Sequence, residues 1–459
     1  MGGLRKLFKN TVVLTASGLI MRFVGLSYQV WLAGRIGSAG IGLFQLIGSV
    51  NMLCVTFAIS GVRFTATRLC SEELGLNRPG GAAGAVENCC AYASFFGAAA
   101  FFLMFCGAEK IGFLWIGDAR TVKSLRILSL CLPMLAFSSV FSGYFIARGM
   151  VLQASVIQII EQLVNIGCAM LFLSGVDGGD LEECCAAISR SNVIADGCSL
   201  AMSLAVYIIS KPRGRELPSG LWRRQLKIAL PLAFSAYARV SLVSLENLLI
   251  PRKLRLSGMS ADEALSGYGI ITGMVFPVIT FPSCILSAAA ELSISELTGA
   301  QVQGNMARVR STVRSLMISG GAFALGVAAF LFLFSEQLGV AVYKSLEAGR
   351  YIRLFSFLVP IMYMDIVTDG CLTGLGQMMN SMSYNICEAA MGVAFVLSLV
   401  PHFGLGGYMF TLFFCEIFNF TLSMTRLIKV CRSVDKGGKE SSGLRRSEIL
   451  QIIPKEVGA

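Results

Sequence analysis

Charge is scarce in this chain. Of its 459 residues, 14% are Asp, Glu, Lys or Arg, where soluble domains carry about 25%. With 55% hydrophobic residues and a mean hydropathy of +0.71, the shortage excludes a soluble globular protein and leaves an all-α polytopic membrane protein. Histidine is nearly absent: the single one is His402, in the turn-like PHFGLGG, where a surface position is commoner than a catalyst. No P-loop, GxSxG or HExxH pattern occurs. The chain is therefore not expected to be an enzyme, to hold a cofactor or metal, or to draw on ATP. Cysteine is plentiful at 15, yet no CxxC or Cys/His ligand spacing appears. Cys89–Cys90 and Cys184–Cys185 are adjacent, a poor geometry for ordinary pairing. Most of the others lie in apolar runs, as small buried thiols do.

What is abundant is apolar sequence in bilayer-crossing lengths. About 12 transmembrane helices are predicted, near 10–33, 41–67, 82–107, 124–147, 150–173, 186–210, 226–250, 267–292, 312–335, 351–374, 379–400 and 404–427. The first run is too long, and too interrupted by Arg22, for a signal peptide. The excess of Lys and Arg (net charge +11) falls mainly on one side of this topology, which places both termini in the cytoplasm. It marks topology; no nucleic-acid partner is expected. The segment KPRGRELPSGLWRR (211–224) is the most basic loop and the natural seam. The expected organisation is an N-terminal six-helix lobe at 1–210, a basic cytoplasmic linker at 211–225, a C-terminal six-helix lobe at 226–432 and a mostly disordered cytoplasmic tail at 433–459. The two lobes are weakly alike. TFAISGVRFTATRLCSEELG (56–75) laid over TFPSCILSAAAELSISELTG (280–299) matches at six of twenty positions, as a parallel repeat about the membrane normal would.

The informative residues are the few charges inside the spans. Arg22 lies ~18 Å along the helix from Asn10, well within a ~30 Å hydrocarbon core, so it must face protein or water. Thr11, Thr15, Gly18, Arg22, Gly25 and Gln29 form one small or polar stripe at helical spacing. Arg239 is also mid-span. Arg63, nearer a helix end, can alternatively snorkel to the interface. Glu161, Asp196, Glu246, Asp365, Asp369, Glu388 and Glu416 fall within spans too. Gln158, Glu161, Gln162 and Asn165 make a polar face on the fifth span, as do Ser381, Asn385 and Glu388 on the eleventh. For any one acid a structural pairing with an arginine is at least as good a reading; together they argue for a hydrated interior pathway.

Several stretches carry a resemblance as a set: LIMRFVGLSYQVWLAGRIGSAGIGLFQL, SGVRFTATRLCSEELG, GYFIARGMVLQASVIQIIEQLVNI, ENLLIPRKLRLSGMSADEALSGYGIITGMVFPVITFPS and GLGQMMNSMSYNICEAAMGVAFVLSLVPHFGLGGYMF. Over nearly its whole length the chain resembles the stage V sporulation protein B family, within the multidrug/oligosaccharidyl-lipid/polysaccharide (MOP) flippase superfamily. The resemblance implies a flippase that moves undecaprenyl-diphosphate sugars across the bacterial plasma membrane by alternating access between two lobes. Cell-wall synthesis proteins would be partners, and Na+ or H+ a coupling ion. It also implies a cationic cavity, with Arg22, Arg63 and Arg239 at arginine positions of related lipid II flippases. Tyr28 and Asn165 stand where those relatives are basic. The expected substrate-binding residues are Arg22, Arg63, Arg239, Gln158, Glu161, Glu246, Asn385 and Glu388; the coupling-ion candidates are Asn385, Glu388, Asp365 and Asp369. Physical chemistry agrees on the anion, because guanidinium forks match a diphosphate bidentately. The rivals are a cation-coupled multidrug antiporter of the same fold, which would favour a carboxylate over Arg22, and a membrane glycosyltransferase, which would need a large polar loop.

Overall fold

The structure, a computed structural model, describes residues 2–76, 78–176, 179–211, 221–302 and 305–436; among these every regular element is helical. The first lobe comprises α1 (Gly2–Ile59), α2 (Val62–Gly75), α3 (Pro79–Lys110), α4 (Val122–Ser129), α5 (Cys131–Ala147), α6 (Val151–Ser174) and α7 (Leu181–Ser210). The second comprises α8 (Leu221–Leu256), α9 (Ala261–Gly269), α10 (Phe276–Thr280), α11 (Ser283–Val302), α12 (Met306–Leu333), α13 (Ser335–Tyr343), α14 (Leu346–Phe355), α15 (Val359–Gly374), α16 (Met378–Ser398) and α17 (Val400–Lys436). Eight helical stretches are long and apolar enough to cross a membrane, and ten if α4–α5, bent by 41°, and α14–α15, bent by 55°, each count as one span. Gly37, at φ 70°, splits α1 into two crossings, and the more polar α16 supplies the last. The predicted twelve-span, all-α membrane protein is what forms.

Span ends differ from expectation where the backbone breaks. The second span stops at Ser60 and Gly61, both left-handed at φ 45° and 71°, and resumes as α2. A serine there costs on the order of 1–2 kcal/mol. Buried Ser60 is held by both lobes: its hydroxyl meets the Tyr92 hydroxyl at 2.8 Å and accepts from Tyr237 at 2.6 Å. The eighth span breaks at Phe281–Pro282, between α10 and α11, because a proline nitrogen has no hydrogen to donate to the helix. Leu221–Gln225, read as linker, form the first turns of α8, and α17 runs to Lys436 into the expected tail. Residues 212–220 and 437–459 lie outside the described residues, as do the side chains of Thr11 and Thr15.

The internal repeat appears in the packing. Ala66 and Ala290 are matched positions of the two aligned segments, and each faces a glycine. A Cβ on Gly143 of α5 would come within 2.9 Å of the Ala66 methyl, and one on Gly370 of α15 within 2.6 Å of the Ala290 methyl. Threonine hydroxyls tie the same helix pairs, from Thr67 to the Gly143 carbonyl (3.1 Å) and from Thr298 to the Gly374 carbonyl (2.8 Å). Close helix approach through small residues with a side-chain hydrogen bond is how helices associate in lipid.

Two of the contacts between the lobes lie at opposite ends of the molecule. Beyond the Gly37 bend, α1 lies backbone to backbone on α9. Ser38 and Ser266 hydroxyls are 2.6 Å apart, and Gln29 donates to the Gly273 carbonyl at 3.0 Å. A Cβ on Gly269 would sit 2.6 Å from the Gly42 nitrogen. At the opposite end, Arg224 of α8 pairs with Glu72 and Glu73 of α2, and Asn88 of α3 donates to Gln225. Overpacking costs about 1–3 kcal/mol, so Gly269→Ala is expected to lower the melting temperature of the detergent-purified protein. Gly48→Ala on α1, whose added Cβ meets nothing within 4 Å, is expected to leave it unchanged or raise it. Equal melting of the two variants would contradict the seam.

Candidate functional site

Between α1, α6, α7 and α11 lies a chamber of about 740 Å³. Its walls follow from helical spacing: Gln158, Glu161, Gln162 and Asn165 share one face of α6, three and four residues apart. Gln162 donates to the Met21 carbonyl at 3.2 Å, joining α6 to α1, and Ser191 of α7 donates to Asn165 at 2.8 Å. Arg22 and Tyr28 of α1, Asn192 and Asp196 of α7, and Ser287 and Glu291 of α11 complete the lining. Arg22 is exposed to this space and makes no ion pair among the described residues. It also lines a second, 470 Å³ crevice against α10, with Leu26, Phe276, Pro277 and Phe281 on its apolar walls and Gln29 and Gln45 on its polar ones. The guanidinium therefore stands at the junction of a polar chamber and a largely apolar crevice.

The other two arginines occupy separate spaces. Arg63 lies in a 110 Å³ pocket among Ser138, Ser139, Ser142 and Ser203, which adjoins the chamber and shares Gln158 and Glu161 with its lining. Arg239 lines a 230 Å³ cavity of the second lobe with Glu246, Asn385, Glu388 and Glu416. Neither makes an ion pair within 4.0 Å among the described residues. Beside that cavity, Asn419 donates to Asp365 at 3.2 Å and to Asn385 at 3.1 Å, while Asp369 accepts from Ser381 at 2.8 Å. One oxygen each of Asp365 and Asn419 is buried without a partner. The described residues include no cluster of three or more His, Cys, Asp or Glu that could hold a metal.

Comparison with known proteins decides the family. A family described as polysaccharide biosynthesis protein matches residues 7–254, more than half of the chain, and the MatE family matches residues 254–400. The chain belongs to the polysaccharide biosynthesis protein family. This places it among the transporters of the MOP superfamily. It is 24% identical over 421 residues to stage V sporulation protein B of Bacillus subtilis, covering 87% of this chain and 79% of that one. Among solved structures it is similar to the inward-facing conformation of a multidrug resistance MATE family transporter, with a TM-score of 0.74 at 15% identity, covering 92% of this chain and 96% of that one. An outward-facing MATE transporter structure gives 0.60 at 15% identity, covering 94% and 96%.

For a polysaccharide biosynthesis family transporter, the arrangement departs from the single cationic cavity that the sequence suggested. The three arginines line three spaces, one at the lobe interface and one within each lobe. The polar faces of the fifth and eleventh spans likewise line different cavities. Gln158 and Glu161 face the chamber; Glu246, Asn385 and Glu388 face the second-lobe cavity. Two residues escaped the sequence reading. Glu291 lies in α11, the helix that begins just after the breaking Phe281–Pro282 segment. Its repeat position, four residues after the counterpart of Arg63, was a signal for it. Asn419 is one polar residue in the apolar α17, and only the fold brings it to Asp365.

Proposed function

We propose that this transporter is a flippase for undecaprenyl-diphosphate sugars in the bacterial plasma membrane, working by alternating access with both termini cytoplasmic. One observation carries the reading: an unpaired guanidinium, Arg22, stands where a polar chamber meets a largely apolar crevice. A lipid-linked sugar diphosphate has the same order of parts. The sugar fits among the amides of α6 and α7, the diphosphate meets Arg22, and the prenyl chain leaves along Leu26, Phe276 and Phe281 toward lipid. Bidentate guanidinium contacts strengthen in such a low-dielectric cleft. Arg63 and Arg239 are secondary anion contacts on the path. In this orientation the α1–α9 seam closes the outer side and the chamber faces the cytoplasm. The higher similarity to the inward-facing than to the outward-facing relative supports that state.

The test is translocation in proteoliposomes. A fluorescent prenyl-diphosphate disaccharide is expected to become accessible to a membrane-impermeant quencher only when active protein is present. A second reading, a cation-coupled multidrug antiporter, is favoured by Glu161, Asp196 and Glu291 in the same chamber and by the MATE relatives. Uptake of cationic dyes with no movement of the lipid would select it.

Coupling is assigned to the second lobe. The unpartnered oxygens of Asp365 and Asn419, with Asn385 and Glu388 nearby, suit a small cation or a proton. Asp369 is already engaged by Ser381 and serves as support. Asp365→Asn is expected to remove the stimulation of translocation by an imposed Na+ or H+ gradient. Wild-type transport that ignores both gradients would contradict the assignment.

A further inference from the structure

We infer that the head group carried by this protein bears a primary ammonium as well as its diphosphate, and that Asp196 and Glu291 receive it. The inference rests on the flippase reading above and refines it. The chamber holds one guanidinium, Arg22, and three carboxylates, Glu161, Asp196 and Glu291. Glu161 also lines the neighbouring pocket that holds Arg63. No described Lys or Arg pairs with Asp196 or Glu291 within 4.0 Å, and Glu291 is exposed to the chamber.

A wholly anionic head group would bring its phosphates into a space with two uncompensated carboxylates. Like charges sharing one cavity repel more strongly when water is largely excluded. A wholly cationic cargo meets the opposite objection, because Arg22 stays unpaired in the same space. A zwitterionic head resolves both, with the diphosphate at Arg22 on α1 and the ammonium across the chamber toward α7 and α11. The site also holds an unused hydrogen-bonding group. Ser155 is 5% exposed and lines the chamber, and its hydroxyl makes no hydrogen bond within the protein among the described residues. Its oxygen opens onto the chamber, where a polar head group can take the place of water as its partner. An ammonium is a compact point charge with three donors, suited to two carboxylates from different helices.

Such an ammonium can sit on an amino sugar or on a short peptide attached to the sugar. Four lipids on the same prenyl diphosphate separate the sources: a free-amine sugar and its N-acetylated twin, and a peptidyl sugar with a free side-chain amine and its acetylated twin. Translocation in proteoliposomes is expected to be about tenfold or more faster for the free-amine member of at least one pair, equivalent to about 1.4 kcal/mol. The pair that shows the ratio identifies the source. Glu291→Gln and, separately, Asp196→Asn are expected to bring that ratio toward one. Each ratio is taken within one preparation, so partial misfolding of a variant cancels. Equal rates within both pairs for the wild type, or a ratio unchanged in both variants, would overturn the inference and leave the flippase reading standing. Failure of all four lipids to move, with dye uptake intact, would overturn both.

Discussion

Arg22→Ala is expected to slow translocation of a prenyl-diphosphate sugar by roughly 10- to 100-fold while leaving the melting temperature unchanged. The size follows from the loss of charge-assisted hydrogen bonds, worth about 1.5–3 kcal/mol in a site like this. The selectivity follows from the fold: Arg22 is exposed to the cavities and makes no ion pair among the described residues, so its removal orphans no buried charge. Alanine also suits a helix interior. Arg22→Lys is expected to recover part of the rate, since a lysine keeps the charge and loses the planar fork. Initial rates at matched incorporation into proteoliposomes measure both. An alanine variant at the wild-type rate would remove Arg22 from the substrate path.

The second large effect concerns the seam. Joining Ser38→Cys to Ser266→Cys is expected to stop transport once the disulfide forms, and reduction is expected to restore it. Their hydroxyl oxygens lie 2.6 Å apart, which places the β-carbons within the reach of a disulfide. The seam is backbone against backbone: Gly269 and Gly42 leave no room even for a methyl group. Such an interface is closed or open and does not deform gradually. Holding it closed therefore traps one side-access state. A fully crosslinked protein, verified by gel shift, that transports at the reduced protein's rate would mean the seam does not open during the cycle.

The architecture was readable because few amino-acid types set it. Apolar run length fixed the crossings. The faint repeat was real evidence as well, since Ala66 and Ala290 both turned out to face a helix-contact glycine. Break points were less legible. Pro282 announced its own kink, whereas Ser60 takes a left-handed conformation that its type disfavours, and hydroxyls from α3 and α8, distant in sequence, hold it there. The site was half legible. Helical spacing gathered Gln158, Glu161, Gln162 and Asn165 on one face and singled out Arg22. Spacing within one helix says nothing about which helices stand between two residues, so it could not separate Arg22, Arg63 and Arg239 into three spaces. It could not bring Glu291 opposite α6, nor Asn419 beside Asp365, for the same reason.

The central claim is that Arg22 reads the diphosphate, and a binding cycle tests it most directly. Affinity of the purified protein would be measured for a prenyl-diphosphate sugar and for the same sugar linked to the prenyl chain without phosphate, in the wild type and in Arg22→Ala. The account expects the substitution to weaken binding of the diphosphate lipid by roughly tenfold or more and to leave the phosphate-free lipid unaffected. Equal weakening of both lipids, or of neither, would contradict it.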